Sequence, residues 1–135
     1  MRPRGNTQED YLLRIIRQAG EALRRLRHRL TGGADTPEIV RMDAVAATDA
    51  LLGSQATVLG LLDAASAVRM VGHPAIVDVW VALLEVEAGA SDAMGDSASG
   101  SRRRARASAR EAASAIWGSP ADEQRTEPPA PAGSS

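Results

Sequence analysis

Between Leu12 and Leu30 the apolar residues recur as Leu12, Ile16, Ala19, Leu23, Leu26 and Leu30, at spacings of four, three, four, three and four. That alternation is a heptad seam held for nearly three heptads, and it suits a helix that lays one side against other helices. Tyr11, Ile15 and Ala22 widen the seam on one flank, as burial in a bundle requires. Asn6, with Glu9 three residues on, reads as an N-cap with its capping box. Thr31-Gly32-Gly33 closes the helix, because glycine tolerates the left-handed conformation found at helix ends.

The rest of the chain continues in helical period. Thr36-Pro37-Glu38 opens a second helix, with Thr as cap, Pro at the first helical position and Glu at the positive end of the dipole. Ile39, Val40, Val45, Ala46, Leu51 and Leu52 can face inward, and Gly53 ends it. A third helix, capped by Ser54 and weakened at Gly60, presents Leu59, Leu62, Ala65, Val68 and Met70 and stops at Gly72. His73-Pro74 starts a fourth, with Ile76, Val77, Val79, Trp80, Leu83 and Leu84, running to about Ala88 or Gly89. Residues 89–101, GASDAMGDSASGS, read as a flexible surface loop. Arg102 to Trp117 forms a fifth helix with Ala105, Ala109, Ala112, Ala113, Ile116 and Trp117 on one side. The expected fold class is all-α: a compact bundle of about five helices.

With no Phe, one Tyr and two Trp, the core must be built from Leu, Ile, Val and Ala. Close helix contacts suit that palette better than a sheet does. Residues 1–118 are read as one α-helical domain, and 119–135 (SPADEQRTEPPAPAGSS) as a disordered C-terminal tail. The absence of cysteine excludes disulfides and thiolate metal sites and fits a cytoplasmic protein. The apolar stretches are interrupted by Asp49 and Asp78, so no membrane span is expected. All sixteen basic residues are Arg, a bias of GC-rich bacterial genomes.

The net charge of −1 conceals segregation. Residues 1–30 carry eight Arg against Glu9, Asp10 and Glu21, residues 31–100 carry Arg41 and Arg69 against ten acids, and residues 101–135 carry six Arg against four acids. Basic ends around an acidic middle can neutralise one another within the fold or across a dimer. Arg14, Arg17, Arg24, Arg25, Arg27 and Arg29 ring the seam of the first helix and form its candidate interaction surface. Arg102, Arg103, Arg104, Arg106 and Arg110 form a second cluster that can pair with the acidic fourth helix near Glu85 and Glu87.

The two histidines, His28 and His73, lie in no pattern of converging carboxylates, and His73 reads as a helix-start residue. Phosphate-loop, nucleophile-elbow and zinc-protease motifs are absent from the sequence. The sequence thus offers no catalytic residue, no metal ligand and no cofactor-binding residue; no cofactor is expected, and the protein is not expected to be an enzyme.

The run Asp10-Tyr11-Leu12-Leu13-Arg14-Ile15-Ile16-Arg17-Gln18-Ala19-Gly20-Glu21-Ala22-Leu23 resembles the opening helix of an uncharacterised bacterial family, the domain of unknown function numbered 6483. The resemblance covers about twenty residues well and the next seventy in helix order, and it implies a helical fold and no activity. Val79 to Trp117 resembles a degenerate tetratricopeptide-type hairpin, with Ala82-Leu83-Leu84 and Glu87-Ala88 at the end of its first helix, Gly95-Asp96 at the turn and Ala105 to Trp117 in the returning helix. The expected role is a non-catalytic protein-interaction or scaffolding module with a protein partner, which can be a second copy in a homodimer. The competing role is a nucleic-acid-associated regulator that uses the Arg-rich first helix.

Overall fold

A computed structural model describes residues 4–32 and 36–117, with side chains from Glu9 to Ile116. Six α-helices and one turn of 3-10 helix follow one another: α1 (Arg4–Gly32), α2 (Pro37–Leu52), the 3-10 turn Gly53–Gln55, α3 (Ala56–Leu61), α4 (Ala64–Val71), α5 (Pro74–Ala93) and α6 (Ser97–Trp117). The fold is all-α, as the periodicity requires. The tail from 119 to 135, the Gly118-Ser119-Pro120 stop, Gly33 and the Trp117 side chain lie outside the described residues.

α5 is the axis of the bundle. It packs against α1, α2, α4 and α6, so it is apolar on nearly every side, and Ile76, Val77, Trp80, Leu83 and Leu84 are all buried. Its solvent contact narrows to a few positions such as Asp78, Glu85 and Asp92, which is why its sequence lacks a broad polar face. His73 opens it in an extended conformation (φ −144°, ψ 108°), and Pro74 stands where a missing N–H is harmless. α1 lies on α2 and α5 through Ala19, Leu23 and Leu26, which are buried, while Leu12, Ile16 and Leu30 are half-buried.

Several local expectations are corrected. α1 begins at Arg4, so Asn6 lies within the helix and does not cap it. Tyr11 is exposed and does not widen the seam. Thr36 takes the cap position of α2 but makes no side-chain cap bond; its carbonyl accepts from the N–H groups of Ile39 and Val40. Ser54 falls inside the 3-10 turn and is not a helix cap. The third helix is divided, because Leu62 is extended (ψ 156°) and Asp63 restarts the chain as a true N-cap, its carboxylate accepting from Ser66 N–H at 3.2 Å. On α2, Ile39, Val45 and Ala46 face solvent, with Val40, Ala44 and Leu51 inward; on α4, Ala65 and Met70 are exposed.

The largest correction concerns residues 89–101. They form no long loop: α5 runs on to Ala93, the chain turns within 94–96, and α6 starts at Ser97. Gly95 makes the turn with φ 84°, and the Asp96 carboxylate caps α6 by accepting from Ser99 N–H at 3.1 Å. The small residues serve close helix approach instead of flexibility. A Cβ on Gly89 would stand 2.9 Å from Leu30 Cδ2, and one on Gly100 would collide with the Asp92 carboxylate and the Ala88 carbonyl.

Candidate functional site

α6 is rotated about its axis relative to the sequence reading. Ala105, Ala109, Ala112 and Ile116 are exposed, and the face turned to α5 carries Ser99, Gly100, Arg103, Ala107 and Arg110. Residues 103, 107 and 110 share a face by helical spacing. The rotation is explained by what that face meets: Glu87 and Trp80 are both buried on α5, and both take an arginine.

Arg103 donates from Nε to the Glu87 carboxylate at 2.9 Å, and also bonds the Ser99 hydroxyl. Arg104 pairs with Asp92 one turn further along α5. The expected salt-bridged hairpin is therefore present, through Glu87 and Asp92; Glu85 is exposed and takes no part. Burial pushes the Glu87 carboxyl above its ordinary value, and the Arg103 guanidinium opposes that shift without cancelling it.

Arg110 differs. It is 2 % exposed, its guanidinium stands 4.4 Å from the centroid of the Trp80 ring, and among the described residues no carboxylate pairs with it. One N–H reaches the Arg106 carbonyl at 3.4 Å, and its Nε is buried without an acceptor. Desolvation lowers its pKa, and the neighbouring Arg106 charge lowers it further. Arg106 is exposed, one turn before Arg110. Arg103, Arg106 and Arg110 line one wall of a cleft of about 250 Å³, with Trp80 and Leu84 on α5 and Val45, Asp49 and Leu52 on α2 opposite them. The sequence names these arginines and Glu87 as a pairing cluster but gives no sign of a cleft between α2, α5 and α6. The arginine cluster was visible, but which of its members turn inward depends on the α5–α6 rotation.

The arginines predicted on α1 do not converge on this cleft. Arg14, Arg17, Arg24, Arg25 and Arg27 are exposed on the side of α1 away from its core seam. Arg29 is half-buried and bridges to Asp43 on α2 at 2.9 Å, so it ties two helices together. His28 is exposed, and the Nδ1 of His73 is buried without a partner at the start of α5. Among the described residues no three His, Asp or Glu side chains are grouped to hold a metal ion.

A third feature is the outer face of α2 and α3. Ile39, Met42, Val45, Val58 and Leu61 are exposed, Leu61 to 83 %. Pro37–Leu61 is long and apolar enough by length and composition to cross a membrane, with mean hydropathy 1.3, yet only 17 % of its most apolar 18-residue window is buried. The helix breaks at Gly53 (φ 68°), where α2 gives way to the 3-10 turn.

Comparison of the chain with protein-family models, with curated proteins and with solved structures found no match.

Proposed function

We propose that this protein is a non-catalytic interaction module that pairs with a second copy of itself through the outer face of α2 and α3. The observation that carries this reading is the exposure of Ile39, Met42, Val45, Val58 and Leu61 on two consecutive elements. Large apolar side chains exposed in this number on neighbouring elements mark a surface that a partner covers. The chain also carries both halves of a charge match. Exposed Arg14, Arg17, Arg24 and Arg25 lie on α1, and exposed Glu38 and Asp49 lie on α2 beside the apolar side chains. A second copy thus supplies an apolar centre and arginines of the opposite sign to Glu38 and Asp49, which suits a two-fold interface. In this role the α5–α6 hairpin acts as a rigid, tetratricopeptide-like support behind the interface, in a bacterial cytoplasm.

Sedimentation velocity of the full chain tests the reading. Dimers should form with a Kd at or below about 100 μM, and the double variant Met42→Glu, Leu61→Glu should be a monomer with unchanged helical circular dichroism. A wild-type chain that stays monomeric at concentrations well above that value overturns it.

A further inference from the structure

The cleft between α2, α5 and α6 goes beyond the pairing surface, and its charge is unbalanced. Three arginines meet two carboxylates there: Glu87 is hydrogen-bonded to Arg103 and also feels the charge of exposed Arg106, whereas buried Arg110 has no carboxylate paired with it among the described residues. Burying a guanidinium without a counter-charge is unfavourable, and an aromatic face offsets only part of that cost. Arg110 is held in this state on a packed helix, with most of its N–H donors unused. An anion entering the cleft would meet two converging cations, one of them already desolvated, where charge-assisted hydrogen bonds are strongest.

The remaining walls define the rest of the ligand. Val45, Leu52, Leu84 and Trp80 offer apolar contact, so the anionic group should be attached to a compact apolar body. The volume, about 250 Å³, lies just below the range of about 300–1,000 Å³ common for ligand pockets and admits only a small molecule. Asp49 and Glu87 at the same cleft disfavour a dianion such as phosphate.

We propose that this cleft binds a small monocarboxylate with a compact aromatic or branched aliphatic body, its carboxylate held by Arg106 and Arg110 and its apolar body laid against Trp80 and Leu84. The cleft borders the pairing surface at Val45 and Asp49, but Met42 and Leu61 do not line it, so substitutions at those two positions test pairing without altering the cleft wall.

Benzoate is the probe, with benzamide as its neutral counterpart, titrated calorimetrically into the full chain in low-chloride buffer at pH 7. Saturable one-to-one binding with a Kd below about 1 mM is expected, together with a higher melting temperature. Benzamide and inorganic phosphate should bind at least tenfold more weakly. Arg106→Gln, an exposed change that leaves the core intact, should weaken benzoate at least tenfold, and Arg110→Met should abolish binding. No saturation by 10 mM benzoate, equal binding of benzamide, or full affinity in Arg106→Gln overturns the proposal. A poorly folded Arg110→Met leaves the decision to Arg106→Gln. The Met42→Glu, Leu61→Glu variant separates the two readings, since it should lose pairing and keep benzoate affinity.

Discussion

The guanidinium of Arg110 lies over the indole of Trp80, 4.4 Å from the ring centroid, inside the contact between α5 and α6. A desolvated cation–π contact is worth about 2 kcal/mol, whereas burying an unpaired charge costs several kcal/mol even after relaxation. The second effect is larger, so the arginine holds its place at a net cost to the fold. Arg110→Met keeps the length and flexibility of the side chain and removes the charge. It should raise stability by about 1–3 kcal/mol, measured by urea denaturation without added ligand. A loss of stability would mean that the aromatic contact outweighs desolvation.

The glycines of the α5–α6 hairpin and of α1 should respond to alanine with opposite signs. Gly20 sits in the interior of α1 with open space around its Cβ position, so Gly20→Ala should gain about 0.5–1 kcal/mol from helix propensity. Gly100 also lies in a helix, but its Cβ would press on Asp92 and on the Ala88 carbonyl, 3.0 Å away. Backbone cannot yield as a side-chain end can, so overpacking should outweigh propensity and Gly100→Ala should lose about 1–3 kcal/mol. Parallel thermal melts of the two variants check the signs.

These glycines also show what was legible in the sequence. The α1 seam, Pro74 and Gly72 each act through their own chain neighbours, and the structure follows them. Gly89 and Gly100 have the composition of a loop, but their meaning lies across the helix pair, in Leu30 and in Ala88 with Asp92. Ala105 and Ala109 make an apolar stripe that local pattern assigns to the core. The buried partners Glu87 and Trp80 turn Arg103 and Arg110 inward instead, and no spacing within α6 encodes that. Ile39 and Val45 on α2 show the same limit: apolar residues are spread around more than one side of this helix, and its pattern does not declare which side the core covers.

Core substitutions should grade with position. Leu83 is fully buried on the axial helix, and Leu23 is buried at the flank on α1. Leu83→Ala should therefore cost about 3–5 kcal/mol and Leu23→Ala about 2–3 kcal/mol, since a central cavity has less freedom to collapse. Chemical denaturation gives both values. A Leu23→Ala change below about 0.5 kcal/mol would show that α1 contributes no packing.

Two carboxylates should give pH dependences of opposite sign. Burial raises the Glu87 pKa above 4.5, so the native state holds that proton more tightly than the unfolded chain. Its contribution is therefore lost as pH rises from about 4.5 through the folded value. The bond to Ser66 lowers the Asp63 pKa below 3.8, so its contribution is present above that pH and is lost as pH falls. The stability of wild type minus Glu87→Gln should thus decrease between pH 4 and 7, while wild type minus Asp63→Asn should increase from pH 2 to 5. Either difference running the other way would sink the corresponding assignment.

The exposed arginines of α1 permit one more decision. If Arg14, Arg17, Arg24, Arg25 and Arg27 met nucleic acid, affinity would come from neutralised phosphates and would fall with salt, with a log–log slope of about −0.9 per contact on duplex DNA. Against this stands the acidic remainder of the chain. Exposed Glu38, Asp49, Asp78 and Glu85 lie on α2 and α5, the two helices against which α1 packs, so the field reaching a polyanion is opposed at close range. Arg29, already bridged to Asp43, adds less than its charge suggests. Random-sequence duplex DNA and single-stranded RNA should therefore bind no tighter than about 10 μM at physiological salt, by fluorescence anisotropy. Submicromolar binding that weakens with salt, and that vanishes when Arg24, Arg25 and Arg27 become Gln, would displace the pairing reading in favour of a nucleic-acid role for α1.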